Sequence, residues 1–481
     1  MRDRILSVLG AALVASATAC SNLTDINTNP NGPVDVPPPS LLANAIQDVV
    51  GGVDGVTSLN IRGGGLWVQY YSEIQYRDED KYIVRPGTSG EWGFYNRSLE
   101  DFQRMIDKGV ATNTPNWEAV GRIMKSYAFS VMTDAMGDLP YSEALQGAAN
   151  MTPKYDSQKD IYTGMFADLT TASQKIDPAG IGFATGDIMY GGDMTEWRKF
   201  ANSLRLRLAV HLSNVDPTTA AAQAQAAVAA GVFASKADNA QLLYLSVSPN
   251  RNPIYEDART RDDYGLSKTY VDSLNSWKDP RLPVFAQINK DTIVANRTYE
   301  GLPNGLNDGE GPNLFYISRI GSYWRETPNA PLTLLSYSEV LFLEAEAAQR
   351  GWITGDPAAL YAAAITASFA QYGITDTAVV NPYLRDARVQ YNAGTGLTQI
   401  AYQKWVSMYM QGMESWTEVR RTGVPALVPG PRAVLSSIPE RLPYDDQEQV
   451  LNKANVDAAV AAQGFASSTD LTKPLWFTGR H

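Results

Sequence analysis

The chain has one cysteine and two histidines in 481 residues. A single thiol forbids an intramolecular disulfide and any cysteine-rich zinc or iron–sulfur site. His211 and His481 leave no histidine cluster for a metal and little room for a Ser-His-Asp triad. Positive charge is also scarce: 40 Lys and Arg face 51 Asp and Glu, a formal net charge of −11. A basic footprint for nucleic acid is therefore missing. A phosphate loop of the Gly-x-x-x-x-Gly-Lys type is missing too. After the first twenty residues, no stretch approaches 18 uninterrupted apolar residues, so no candidate membrane-spanning helix is present. What remains is a globular composition, 44% hydrophobic, with 25 Tyr, 10 Trp and 13 Phe. The length fits two to four units or one large helical body.

The position of the one cysteine is informative. Arg2 and Arg4 form a short positive segment, and Ile5 to Ala15 is apolar but too short to span a bilayer. Ala17, Thr18 and Ala19 are small residues suited to a cleavage site. The run Ala17-Thr18-Ala19-Cys20 resembles a bacterial lipobox, with Ala17 where Leu is commoner. Residues 1–19 are then a lipoprotein signal peptide, and Cys20 carries lipid, palmitate included. The alternative is an ordinary secretory leader beside a free cysteine. Residues 20–39 read as an extended tether, given Asn29-Pro30-Asn31-Gly32 and Pro37-Pro38-Pro39. Such a protein is anchored to a membrane and not threaded through it.

The body, residues 40–481, is dominated by helical periodicity and reads as a single domain. In Trp117–Met136, Val120, Ile123, Met124, Tyr127 and Val131 share one helix face. Trp197, Phe200, Ala201, Leu204 and Leu208 repeat that spacing in Thr195–Ser213, with Asp193 and Glu196 as a capping pair. An Ala-rich helix over Thr218–Ala230 stops at Gly231. Ser336 and Glu339 form a capping box opening Tyr337–Gln349, and a partner helix follows at Pro357–Tyr372. Trp405, Met408, Tyr409, Gly412 and Trp416 make one further helical stripe. Helices joined by short turns imply stacked α-hairpins with no fixed sequence period. Residues 66–97 and 245–330 differ: they are rich in Asn, Pro, Gly and Tyr, with strand-like runs at Leu282–Ile288 and Phe315–Trp324. Long irregular segments on a rigid scaffold commonly carry binding.

Six segments, in order, resemble the SusD/RagB family of outer-membrane nutrient-binding lipoproteins. They are Asp25-Ile26-Asn27-Thr28-Asn29-Pro30-Asn31-Gly32-Pro33; Asp134–Ala144, with its Gly137-Asp138-Leu139-Pro140 turn; Asp187–Leu208; Asp279-Pro280-Arg281-Leu282-Pro283 with Gly301–Gly305; Gln403 to Gly423; and Arg441-Leu442-Pro443-Tyr444 with Glu448 and Asn452. The resemblance implies a mostly-α fold: a tetratricopeptide-like helix-pair scaffold with a loop-rich face carrying short β-strands. It also implies a role without catalysis or cofactor. The protein would bind an oligosaccharide or similar nutrient at the cell surface of a Gram-negative bacterium. It would deliver it to a SusC-like TonB-dependent outer-membrane transporter.

Sugar binding needs flat apolar faces and a few polar groups. The loop aromatics are the candidates: Trp67, Tyr70, Tyr71, Tyr76, Trp92 and Tyr95 in one cluster, and Tyr255, Tyr264, Tyr316, Tyr323 and Trp324 in the other. Trp67 and Tyr71 have helical spacing and read as core. Tyr76, Tyr95, Tyr264, Tyr316, Tyr323 and Trp324 lie in less periodic sequence and form the expected ligand-binding set. His211 and Arg207 sit on an apolar helix and read as structural. Asp262-Asp263 and Asp445-Asp446 read as turns, and Asn307-Asp308-Gly309-Glu310 is not an EF-hand loop. Two rival functions are a lipid-anchored glycoside hydrolase, which needs facing carboxylates, and a helical-repeat scaffold without small-ligand binding.

Overall fold

The computed structural model describes residues 36–55, 58–84, 90–183 and 185–480. The signal peptide, Cys20, the tether through Asp35 and His481 lie outside the described residues. The longer helices are α1 (Pro38–Asp54), α2 (Ser98–Ala111), α3 (Pro115–Met136), α4 (Gln158–Lys175), α5 (Met194–His211) and α6 (Pro217–Ala230). After them come α7 (Lys268–Trp277), α8 (Tyr337–Gln349), α9 (Pro357–Gln371), α10 (Thr377–Arg385), α11 (Gly396–Ser407), α12 (Gly412–Thr422) and α13 (Lys453–Ala462). Neighbours in sequence pack as hairpins: α2 on α3, α3 on α4, α5 on α6, and α8 on α9. Helix α8 also packs on α5, joining the two halves of the scaffold. Helix α1 begins at Pro38, inside the expected tether, because proline is well suited to a first helical turn.

Local chemistry explains most of these boundaries. The Asp193 carboxylate accepts from the backbone N–H groups of Thr195 and Glu196, at 2.8 and 3.3 Å. Gly231 ends α6 with φ +93°, a conformation that costs a residue with a Cβ. Ser336 Oγ accepts from Glu339 N at 3.1 Å and opens α8. The expected capping box is only half formed, because the Glu339 carboxylate turns inward to Arg207. The expected stripe from Trp405 to Trp416 is two helices. Residues 408–411 form a turn between α11 and α12, with Met410 at φ +74°. Trp67 and Tyr71 are core as expected, although they lie in a four-residue helix (Gly64–Trp67) and a strand.

The strands fall elsewhere than the sequence implies. Leu282–Phe285 is a helical turn, Leu314–Tyr316 a 3-10 turn, and Ser322–Arg325 another helical turn. A single β-bridge, Ala286 to Ile320, forms between them, flanked by hydrogen bonds from Gln287 N to the Arg319 carbonyl and from Gly321 N to the Phe285 carbonyl. Proline at 283 and the tight Asn313 cap, whose side chain accepts from Phe315 N, favour turns there. Among the described residues, the two sheets are antiparallel pairs. β1 (Tyr71–Glu73) pairs with β3 (Tyr264–Leu266), and β2 (Ala240–Leu242) pairs with β4 (Leu332–Leu335). Both bring distant loops together on the scaffold.

One large apolar core runs from α1 to the C-terminal segment, and a smaller one lies between α8, α9, α10 and α11. Inside the first, aromatic rings touch in series. Tyr70 lies 4.9 Å from Tyr270, Tyr270 5.3 Å from Tyr409, and Tyr409 5.3 Å from Trp324. Phe285 stacks on Tyr409 at 4.7 Å. No helix among the described residues is long and apolar enough to cross a membrane.

Candidate functional site

The six expected aromatics separate into four places. Tyr76 and Tyr316 are exposed on the loop face, 60% and 45% accessible. Tyr76 has φ +59°, strained for a bulky residue, and Arg261 lies over its ring at 5.9 Å. Tyr95 is half-buried; its hydroxyl donates to the Pro140 carbonyl at 2.6 Å and its ring packs on Trp92 and Phe129. Tyr264 is buried in β3. A void of about 10 Å³ lies beside it, too small for a ligand.

Tyr323 and Trp324 meet at a cavity of about 280 Å³. The aromatic series of the core ends there: Tyr372, Tyr409 and Trp324 form its wall, and Tyr323 lies 5.7 Å from Tyr372 and 4.9 Å from Trp324. Trp324 is 2% exposed and held between Phe285, Tyr372 and Tyr409, whereas Tyr323 is half-exposed. The polar lining comes from Lys236, Asn239, Gln241, Thr333, Gln371 and Gln411. Among the described residues no Asp or Glu lines it. Asn239 is fixed by the Tyr337 backbone N–H, which donates to its Oδ1 at 2.7 Å. Gln411 Oε1 is buried without a hydrogen-bond partner. Such an orphan is costly and rare in native proteins. Rings locked by core packing beside open polar groups make a preorganised site for a neutral polar ligand.

The sequence singled out Tyr323 and Trp324 but not Tyr372, Tyr409 or Gln411. Those three come from the end of α9 and the turn between α11 and α12. Tyr409 has the spacing of a core residue, which it also is, so periodicity hides its second role. The positive φ of Met410 has no sequence signature.

Other constellations are already satisfied internally. His211, Glu414 and Glu418 lie close enough to hold an ion. His211 is instead an internal cation. Its Nε2 meets Glu414 Oε1 at 2.9 Å, and its Nδ1 lies 3.2 Å from Asp134 Oδ2. Burial alone would depress the imidazole, but Glu414 and Asp134 reverse that and push it up to about 9. The Asn307–Glu310 turn is likewise occupied. Arg432 Nη2 binds Glu310 Oε1 at 2.7 Å, and Arg77 donates to the Asn307 and Glu310 carbonyls. Asp262 is held by Arg319 and Arg325, and Asp445 accepts from Gln447 N. A wider groove of about 510 Å³ lies against α2, α3 and α4. Its Lys125 is 3.3 Å from Asp168, and its Phe129 is covered by Tyr141.

This architecture has relatives among known proteins. A SusD-like family model, described as starch-binding and associating with the outer membrane, matches residues 30–445. A solved chitin-binding protein is 29% identical, with a TM-score of 0.83; the alignment covers 92% of this chain and 100% of that one. A SusD homologue from Bacteroides fragilis is 26% identical, with a TM-score of 0.82, over 93% of this chain and 100% of its own. A chitin-binding SusD homologue from Flavobacterium johnsoniae shares the fold at 24% identity, with a TM-score of 0.80, over 92% of this chain and 98% of its own. No curated protein matches.

Proposed function

The chain belongs to the SusD-like family, and on that premise we propose that it captures an oligosaccharide nutrient in the aromatic-walled cavity and releases it to a SusC-like TonB-dependent transporter. The observation that carries this reading is the cavity itself. Three core-locked rings and the half-exposed Tyr323 supply faces for sugar rings, and carboxamides and Thr333 supply hydroxyl partners. The protein acts without turnover, because capture requires only differential affinity. In this reading residues 1–19 are removed, Cys20 carries the lipid, and the body of residues 40–481 faces the exterior of the outer membrane. The exposed Tyr76 and Tyr316 extend the ligand surface for longer chains, Trp324 is part of the cavity wall, and Tyr95 and Tyr264 are packing residues away from it.

Starch binding in the family and chitin binding by the 29%-identical relative bring two ligand classes into view, α-glucan and chitin fragments. Full-length protein in detergent is to be titrated calorimetrically with oligosaccharides of both classes. Saturable binding with no change in the sugar over hours is expected. Release of shorter sugars by pure protein, abolished by one carboxylate substitution, would overturn the reading in favour of a hydrolase.

A further inference from the structure

Resting on the reading of Cys20 as a lipid anchor, we propose that an arm made of residues 286–298 and 313–320 is a second membrane contact, which lays an aliphatic tip on a lipid surface bearing phosphate anions. The arm is an antiparallel ribbon. Gln287 N donates to the Arg319 carbonyl at 2.9 Å, Lys290 N to the Phe315 carbonyl at 3.0 Å, and Asn289 Nδ2 to the Tyr316 carbonyl at 3.2 Å. Asn289 N also donates to the Thr298 carbonyl at 3.0 Å, which closes residues 290–297 into a tip. A 3-10 turn, Val294–Asn296, forms its end. Val294 is 70% exposed and Phe315 64%, and Ile288 and Ile293 are exposed with them. Single exposed aliphatics are ordinary, but four apolar side chains gathered at one end of an arm mark a contact surface.

Charge selects the occupant. Lys290 and Arg297 flank the tip and are exposed. Among the described residues neither has a carboxylate partner; Arg297 Nε donates to the Asp291 carbonyl at 3.1 Å. The one acid of the tip, Asp291, is buried, and its Oδ1 accepts from Ile293 N at 2.8 Å. The arm thus presents aliphatic side chains between two open cations, the pattern that seats a segment at the boundary of headgroups and acyl chains. The whole chain carries −11, so an anionic surface repels the body and draws in this arm, which fixes how the anchored protein stands. A sugar fits this tip poorly, because Ile293 and Val294 have no flat face for a sugar ring.

The test uses full-length lipidated protein in vesicles of phosphatidylglycerol and phosphatidylcholine that contain a lipid with brominated chains. Val294→Cys and, as a reference, Val450→Cys, an exposed residue of another segment, are each labelled with an environment-sensitive fluorophore. The label at 294 should shift to the blue and be quenched at least about twofold more than the label at 450. Adding Lys290→Gln and Arg297→Gln should remove that excess in the anionic vesicles, and about 0.5 M salt should do the same. Equal quenching at the two positions, or none at 294, overturns the arm as a membrane contact. An excess at 294 that neither the charge substitutions nor salt reduces overturns the choice of an anionic surface. Fluorophore found on Cys20 by mass spectrometry overturns the lipid anchor instead; both variants then carry it equally, and the excess at 294 still reads the arm.

Discussion

Arg207 on α5 grips Glu339 on α8 through two parallel hydrogen bonds, Nε to Oε1 at 2.7 Å and Nη2 to Oε2 at 2.8 Å, with both residues buried. They are the centre of an ionic network that runs through Glu414 and His211 to Asp134. A neighbouring network joins Lys404, Glu418, Arg421 and Glu346. Five helices meet on these charges, so the network sets how the hairpins register against one another. Buried pairs of this kind are poor evidence of added stability, yet each member depends on its partner.

Arg207→Leu and Glu339→Gln should each lower unfolding free energy by about 3–5 kcal/mol, since each leaves a buried charge uncompensated. The double variant Arg207→Leu/Glu339→Gln should lose less than the sum of the single losses. Urea denaturation of all three checks this. Additive losses would mean that the two residues do not act as a pair.

His211 makes stability depend on pH in the alkaline direction. Its folded value of about 9 lies above the ordinary imidazole value of 6.5, so its contribution is complete below about pH 6.5 and fades as pH rises through 9. Asp134 and Tyr162 face its Nδ1, and Glu414 and Glu418 face its Nε2. The melting temperature of the wild type should fall between about pH 7 and 9.5, and His211→Gln should flatten that part of the profile. An imidazole NMR titration near the ordinary value in the folded protein would contradict the assignment.

Tyr323 and Trp324, adjacent in sequence, should respond to substitution in different assays. Tyr323→Ala removes a half-exposed face and should weaken glycan binding about tenfold with a melting shift of a few degrees at most. Trp324→Ala empties a site packed against Phe285, Tyr372 and Tyr409 and should cost about 3–5 kcal/mol of stability. Calorimetric titration and denaturant unfolding of both variants separate the two roles.

Gly412 opens α12 against the short helix Gly64–Trp67. A Cβ there would overlap the Asn60 carbonyl and the Gly65 backbone, and one on Gly64 would overlap the Gly412 carbonyl. Neither clash is with a flexible side-chain tip, so Gly412→Ala should destabilise by roughly 2–4 kcal/mol or prevent folding. A melting curve superimposable on that of the wild type would refute this.

Cys20→Ser should leave the protein unlabelled by radioactive palmitate and move it from the membrane fraction to the soluble fraction. Unchanged labelling and fractionation would remove the lipid anchor from the proposed function.

The helices were legible because a buried helix face repeats every three to four residues and because Asp193, Ser336 and Gly231 mark ends through local hydrogen bonds or local backbone geometry. Cys20 was legible as a lipidation candidate because its signal is contiguous. The site was only half legible: Tyr323 and Trp324 stood out in irregular sequence, whereas Tyr372, Tyr409 and Gln411 carried no local mark. Glu339 shows the same limit within one residue, since its spacing from Ser336 spells a capping box while Arg207, 132 positions away, takes its carboxylate. Sequence alone thus determined the helical class and the family, both of which are written in short-range patterns. Tertiary structure decided which aromatics face a cavity and which charges are spent inside, because both depend on contacts between segments far apart in the chain, to which no local periodicity corresponds.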